Sequence, residues 1–286
     1  MRNINYFVQF IVIFFLYKIF RLIGLRLSLK ISQNIFKKIG PFFRSKIICR
    51  NNLSKSFPSI SENEINTIIE NMWINYGKIF AEYPFLKNFR ELEFNKSITI
   101  KNQNYLNEIK KEKKPVIFIS GHFNNFELMA MIIEKSGIDL AAIYRPLNNK
   151  FLNPLMEKIR KKYICKKQIK KGISGTKELL RHFKNGTSIA LMIDQRVSQG
   201  IKVNFFGNDA LTTTIPAQFV KKFDAKIVPV YIERNKDDSF QFIVSKSIKF
   251  DKDEDVQSIT LKLNKVLEKM ITLNPDQWIW THNRWK

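Results

Sequence analysis

The chain has 286 residues, with 49 Lys and Arg against 25 Asp and Glu, so it carries a formal net charge of +24. That length permits one large α/β domain, and no Pro/Gly/Ser-rich linker divides it. Cys49 and Cys165 lie far apart without CxxC spacing and the three His are dispersed, which excludes a disulfide framework and a metal centre of recognisable spacing and points to a reducing compartment.

At the N-terminus, Ile4 to Tyr17 is almost wholly apolar, interrupted by Asn5 and Gln9, and Ile19 to Leu29 continues it with Lys18, Arg21, Arg26 and Lys30 around it. The uncharged part is shorter than the roughly 20 residues a spanning helix needs. Two placements stay open: a span whose cationic ends snorkel, or a helix lying in the interface with its basic face toward anionic headgroups. A cleaved signal peptide fits poorly, because no small-residue cleavage site follows and the basic residues come after the apolar run. Residues 1–30 are therefore read as a membrane anchor and 31–286 as one domain. The Lys and Arg excess after the anchor puts that domain on the cytoplasmic face.

Ser61-x-x-Glu64 opens a helix to about Phe80, in which Ile65, Ile68, Ile69, Met72, Trp73 and Tyr76 recur at three- and four-residue steps as a core-facing stripe. Pro115 to Ser120 is an apolar run closed by Gly121, the pattern of a buried strand. From Asn124, Phe126, Met129, Ala130, Ile132 and Ile133 recur at helical spacing as far as the stop signal Gly137. His122 thus sits in a strand-to-helix turn. In one continuous helix His122 and Glu127 would stand about 140° apart, so they meet only if His122 folds back over the first helical turn. There Glu127 could accept the second imidazole N–H, fix the tautomer and stabilise the imidazolium formed when the other nitrogen takes a proton from a hydroxyl. Asn124-x-x-Glu127 also fits a helix N-cap with its reciprocal glutamate, which needs no chemistry. The carboxyl end of a strand in an open α/β sheet is where such sites form.

Further strands are predicted at 140–144, 188–193, 226–232 and 240–245, and helices at 151–162, 175–184, 215–223 and 256–272. The alternation argues an α/β fold with a mixed, mostly parallel sheet covered by helices. No internal repeat, GxGxxG or GxxxxGK[ST] occurs, so no nucleotide cofactor is implied. The basicity, densest over Lys158 to Lys171, calls first for a polyanion. Nucleic acid is set aside, since no recognition motif accompanies the charge and the apolar N-terminus would be unexplained.

Five blocks occur in order: HxxxxE after an apolar strand; Tyr144-Arg145-Pro146-Leu147-Asn148-Asn149; Asp194-Gln195 after the run Ile189 to Ile193; Asn204-Phe205-Phe206-Gly207 followed by Ala210-Leu211-Thr212; and the ending from Asn274 through Trp278, Trp280, His282 and Arg284 to Trp285. Together they resemble the late acyltransferases of lipid A biosynthesis over essentially the whole chain. The resemblance implies a glycerolipid-acyltransferase-like α/β fold and attachment to the inner membrane. It further implies transfer of a fatty acyl group from an acyl carrier protein thioester to a hydroxyl of a lipid A precursor, with no cofactor and no metal. His122 and Glu127 become the catalytic dyad. Arg160, in the basic segment Ile159 to Tyr163, becomes a contact for an oxyanion or phosphate, with Arg145 behind it. Asn124, Asp194, Gln195 and Arg196 complete the expected substrate-binding set.

Plainer readings stand beside these. Arg160 could lie on a solvated helix face, Asp194 and Gln195 could hold a turn, and His282 could pack among Trp278, Trp280 and Trp285. His182 reads as a surface residue. Many members of the family carry a second acid two positions after the aspartate matched by Asp194, where this chain has Arg196, a residue suited to an acceptor phosphate. A glycerophospholipid or other glycolipid acyltransferase would share the dyad logic, but the former would carry Asp in place of Glu127 and a later Phe-Pro-Glu-Gly-Thr block. An inactive membrane-attached binding protein is opposed by the intact His122 and Glu127.

Overall fold

In a computed structural model, which describes residues 2–91 and 97–286, helices precede the sheet: α1 (Arg2–Ile23), α2 (Leu25–Phe43), α3 (Lys46–Ser56), α4 (Glu62–Glu82) and, past a tight turn at Tyr83–Phe85, α5 (Leu86–Glu91). Gly24, at φ 81°, breaks α1 from α2, so residue 30 falls inside the second helix. Ser61 and Glu64 form the predicted capping box of α4, and Ile65, Ile69, Met72 and Trp73 are buried along it. Helix α2 lies close on α4. A Cβ at Gly77 would stand 2.6 Å from the Ser32 carbonyl oxygen, and the Ser32 hydroxyl donates to the Gly77 carbonyl at 2.7 Å.

Beyond residue 97 the chain alternates. β1 (Ile98–Lys101), α6 (Gln103–Glu112), β2 (Ile117–Ser120), α7 (Glu127–Lys135) and β3 (Leu140–Tyr144) lead to α8 (Leu152–Ile159), which continues as a π-helical turn, Arg160–Ile164. β4 (Lys167–Lys170), α9 (Ile173–Lys184) and β5 (Ser188–Met192) follow, then a hairpin of β6 (Ile201–Phe205) and β7 (Asn208–Thr212). The chain closes with α10 (Ile215–Phe223), β8 (Ile227–Arg234), β9 (Phe240–Val244) and α11 (Val256–Leu273). Seven strands make one sheet in the order β1-β9-β8-β2-β5-β3-β4, parallel throughout except between β8 and β9. This is the predicted α/β architecture. β2 is buried at every residue and sits at its centre, so the turn that follows it opens at the middle of the sheet's carboxyl edge.

The hairpin strands β6 and β7 were not foreseen, and within the large sheet the strands not foreseen are those with least apolar sequence. β1 and β4 are four-residue edge strands, Ile-Thr-Ile-Lys and Lys-Gln-Ile-Lys, whose lysines keep the edge soluble and erase the apolar run.

A buried ion pair braces the centre. Arg234, at the end of β8, holds Glu82 through both terminal nitrogens, at 2.5 and 3.1 Å, and Glu82 also accepts from Asn125 at 2.9 Å. Both ion-pair side chains are at most 5% exposed. Replacing Arg234 alone by Leu leaves a buried uncompensated carboxylate and is expected to cost about 3–5 kcal/mol in denaturant unfolding. The double replacement with Glu82→Leu is expected to recover most of that.

Candidate active site

Strand β2 ends at Ser120, and residues 121–126 form a turn before α7. Asn124 adopts φ 43°, a left-handed conformation that asparagine tolerates better than most residues. Its amide nitrogen donates to the Ile232 carbonyl at 3.0 Å and to the Gln277 side chain at 2.5 Å, and its backbone N–H donates to the Gln277 carbonyl. Asn124 therefore caps no helix. Phe126 precedes α7 without a side-chain cap, so the alternative reading of Asn124-x-x-Glu127 as a capping box does not hold. Asn124 is not among the residues that line the cavity of this site.

The turn aims His122 away from the first turn of α7 and toward the end of β5. Its Nδ1 lies 2.8 Å from Asp194 Oδ1, and its backbone N–H donates to Asp194 Oδ2 at 2.8 Å. The expectation had put Glu127 on that ring nitrogen; the structure puts Asp194 there. Trp278 Nε1 also donates to Asp194 Oδ2, at 2.9 Å, and the carboxylate is fully buried. Burial alone would raise the Asp194 carboxyl, but the His122 ring beside it and the three hydrogen bonds outweigh that and hold it at about 2. Asp194 is thus an ionised acceptor, so Nδ1 carries the proton and Nε2 is left with its lone pair. For His122, burial disfavours the charged ring, yet the Asp194 charge and hydrogen bond prevail and raise its pKa above the ordinary value.

Glu127 belongs to a second cluster. Its Oε1 accepts from Arg160 Nε at 2.8 Å and Nη2 at 2.6 Å, and from the Tyr83 hydroxyl at 2.6 Å. Arg160 is buried in the π-helical turn, not on a solvated face. Its Nη1 is buried without a hydrogen-bond partner among the described residues. Burial would discharge the guanidinium; Glu127 overrides it and keeps it firmly charged. Burial, followed by the Glu127 charge, pushes the Tyr83 hydroxyl well up, so Tyr83 stays a donor.

Both clusters border a cavity of about 830 Å³, whose polar lining includes His122, Glu127, Arg145, Arg160, Gln195 and Arg196. Its inner arm is mostly apolar. In the sheet register Phe118 pairs with Ala190, Ala190 with Ala142, and Ala142 with Gln168, so these side chains form one row on one face. That face lies under α7, where the Ser120 hydroxyl meets Met129 Sδ at 3.3 Å and Ala130 and Ile133 make the roof. Two adjacent alanines leave the space that larger side chains would fill. Leu140 and Ser188, one step deeper on that face, are buried and do not line the space, so the arm is blind.

The remaining expected residues fall as follows. The Arg196 backbone N–H donates to His282 Nε2 at 3.0 Å, while its guanidinium donates to the Lys286 carbonyl at 2.9 Å. His282 lines the cavity, and burial lowers its pKa, so it is a neutral ring. Trp278 and Trp280 are core residues, and Arg284 is buried, donating to the Leu211 carbonyl and the Thr212 hydroxyl at 2.7 Å. Tyr83 was not foreseen; it ends a helix in Tyr-Pro-Phe, a pattern that carries no chemical signature. Cys49 and Cys165 are free and buried.

A histidine held by a buried carboxylate, a charged buried arginine and a largely apolar arm line one cavity at the sheet's carboxyl edge. In comparison with known sequences, a sequence model of the bacterial lipid A biosynthesis acyltransferases matches residues 1–286, and the chain belongs to that family. It is 27% identical over 254 residues to a lipid A biosynthesis acyltransferase of Haemophilus influenzae, covering 87% of this chain and 79% of the relative. It is 22% identical over 249 residues to the lipid A biosynthesis lauroyltransferase of Escherichia coli (85% and 79%), and 24% identical over 255 to the palmitoleoyltransferase of that organism (86% and 80%). Among solved structures, a 1-acyl-sn-glycerophosphate acyltransferase from Thermotoga maritima aligns over 92% of this chain and 99% of its own, at 13% identity and a TM-score of 0.41. The protein is an acyltransferase of lipid A biosynthesis.

Proposed function

We propose that the protein moves a fatty acyl group from an acyl carrier protein thioester to a hydroxyl of a lipid A precursor, with His122 as general base. The observation that carries this reading is the 2.8 Å bond between His122 Nδ1 and buried Asp194, which leaves Nε2 without a hydrogen-bond partner among the described residues, on a side chain that lines the cavity. Nε2 takes the hydroxyl proton as the oxygen attacks the thioester carbonyl. The tetrahedral oxyanion is met by the Arg160 guanidinium, whose Nη1 has no other partner among the described residues. The C–S bond then breaks, the carbonyl re-forms, and the imidazolium returns the proton to the departing thiolate. Asp194 is the orienting acid, and Glu127, grouped with His122 in the expected dyad, sets the arginine. Arg145 and Arg196 at the rim suit the acceptor's phosphates. The basic segment from Lys158 to Lys171 suits an acidic carrier protein, which favours it over coenzyme A as donor. The site faces the cytoplasmic side of the inner membrane, where α1, apolar and 22 residues long, attaches the enzyme.

The blind arm is the place for the acyl chain. From the Phe118 row to His122 is four residues, about 13 Å at strand spacing. An extended chain advances about 1.2 Å per bond, which makes room for about ten to twelve carbons. Ala142→Leu fills the inner end and is expected to shift preference, in a competition among carrier thioesters read by mass spectrometry, toward chains two to four carbons shorter. At about 1–3 kcal/mol per methylene the shift is tenfold or more. An unchanged preference would remove the acyl chain from this arm.

A further inference from the structure

The cavity wraps around the carboxyl edge of the sheet, because its lining comes from both faces. One face is the α7 side, carrying Phe118, Ala190 and Ala142. Successive strand residues point to opposite faces, so Ile119, Leu191 and Ile143, which also line the cavity, belong to the other side. Ile119 pairs with Leu191, and Ile143 stands one residue beyond the Ala142–Ala190 pair, so the three form a second row. Ile169, the register partner of Ile143, meets α9: a Cβ at Gly175 would stand 3.4 Å from Ile169 Cγ2. α9 in turn packs on α10, with Phe183 edge-on to Phe219 at 5.2 Å between ring centres. The second row is thus covered from the α9–α10 side, and Ile215, the first residue of α10, lines the cavity with it.

This second arm is shallow. Ile117, Ile189 and Ala141, two residues deeper on the same face, are fully buried and do not line the cavity. From Ile119 to His122 is three residues, about 10 Å at strand spacing. The two arms differ in the charges beside them. Arg160, the proposed oxyanion donor, lies on the α7 side: it is paired with Glu127 of α7, and its guanidinium carbon is 5.7 Å from the centre of the Tyr144 ring, two residues on from Ala142. A thioester carbonyl held there sends its chain into the α7-side arm. Arg145 and Lys171, directly after β3 and β4, also line the cavity, are exposed, and have no acidic partner among the described residues.

We propose that the second arm, on the α9–α10 side of the sheet, binds an alkyl chain of the lipid acceptor while the donor's chain occupies the α7 side. His122 follows β2 at the edge between the two faces, so the chains approach it from opposite sides and the reacting carbonyl and hydroxyl meet there. Arg145 and Lys171 suit a phosphate of the same acceptor, so that charge fixes its headgroup and apolar contact its chain. The inference deepens the acyl-transfer reading above and rests on it.

The test fills the arm from two different elements, with Ile143→Trp and Ile215→Trp. Both residues are half-buried, so a larger side chain has the cavity to enter. In each variant the KM for a tetra-acylated lipid A precursor is expected to rise about tenfold or more, with the order of preference among carrier thioesters unchanged. With a precursor bearing butyryl chains, variants and wild type are expected to agree within about twofold, because the arm then has little to hold; a damaged fold would penalise both precursors alike. In wild type itself the shortening is expected to raise KM about tenfold or more. An unchanged KM for the long-chain precursor in the variants, an equal penalty with the short-chain one, or equal wild-type KM for both precursors overturns the proposal. A shifted donor preference would give the arm to the donor and overturn it as well. Binding of the long-chain precursor in mixed micelles is measured alongside, without donor. Wild type that binds it about tenfold more tightly than the variants do, yet transfers nothing, would uphold the arm and overturn the acyl-transfer reading instead.

Discussion

Asp194→Asn is expected to lower kcat by about 10³–10⁴-fold, the scale seen when the orienting carboxylate of a serine-protease triad is made an amide. The amide can present its NH₂ to Nδ1, which favours the tautomer with the proton on Nε2 and abolishes the base. The pH profile separates this from general damage. As the proposed base, His122 would act only when neutral, so its raised pKa is expected to set the acidic limb of kcat/KM above the ordinary imidazole value. With the Asp194 charge gone, burial, which lowers the pKa, is left dominant, so the acidic limb should move to lower pH while the plateau falls. A fall in plateau with an unmoved limb would show that Asp194 does not act through the ring.

The second large effect concerns Arg160. Arg160→Ala is expected to remove the proposed oxyanion donor, at a cost of about 10²–10³ in kcat, and to leave Glu127 buried without its cation, at about 3–5 kcal/mol in stability. The double variant Arg160→Met, Glu127→Leu is expected to regain most of the stability and none of the activity. Recovery of both together would make the pair a structural brace. Arg160→Lys should not rescue the rate, because one ammonium cannot reproduce the forked contact at 2.8 and 2.6 Å and still leave a free donor.

These expectations mark where the sequence was legible. The strand before Gly121, the helix after it, and the turn that places His122 between them are local, set by runs of apolar residues and their period. β3 and α10 match their predicted bounds, and α4 and α11 run within two residues of theirs, for the same reason. The partner of His122 is not local. Asp194 stands 72 positions away, brought beside the ring because β2 and β5 are adjacent parallel strands ending at one edge. Periodicity reports burial, not which strand lies next to which, so Glu127, five residues from His122 and of the right chemistry, was the nearer choice. Glu127 instead points to α4's end and the π-helical turn, whose Tyr83 and Arg160 no spacing rule connects. The inner arm was equally hidden: Ala142 and Ala190 are unremarked in sequence and acquire meaning only as neighbours in register.

Incubation of the purified enzyme with a tetra-acylated lipid A precursor and medium-chain acyl carrier protein thioesters, read by mass spectrometry, tests the account most directly. One added acyl group is expected with wild type, reduced to background in His122→Ala. No product with the precursor, or acylation of a lysophospholipid in its place, or full product from His122→Ala, would contradict it.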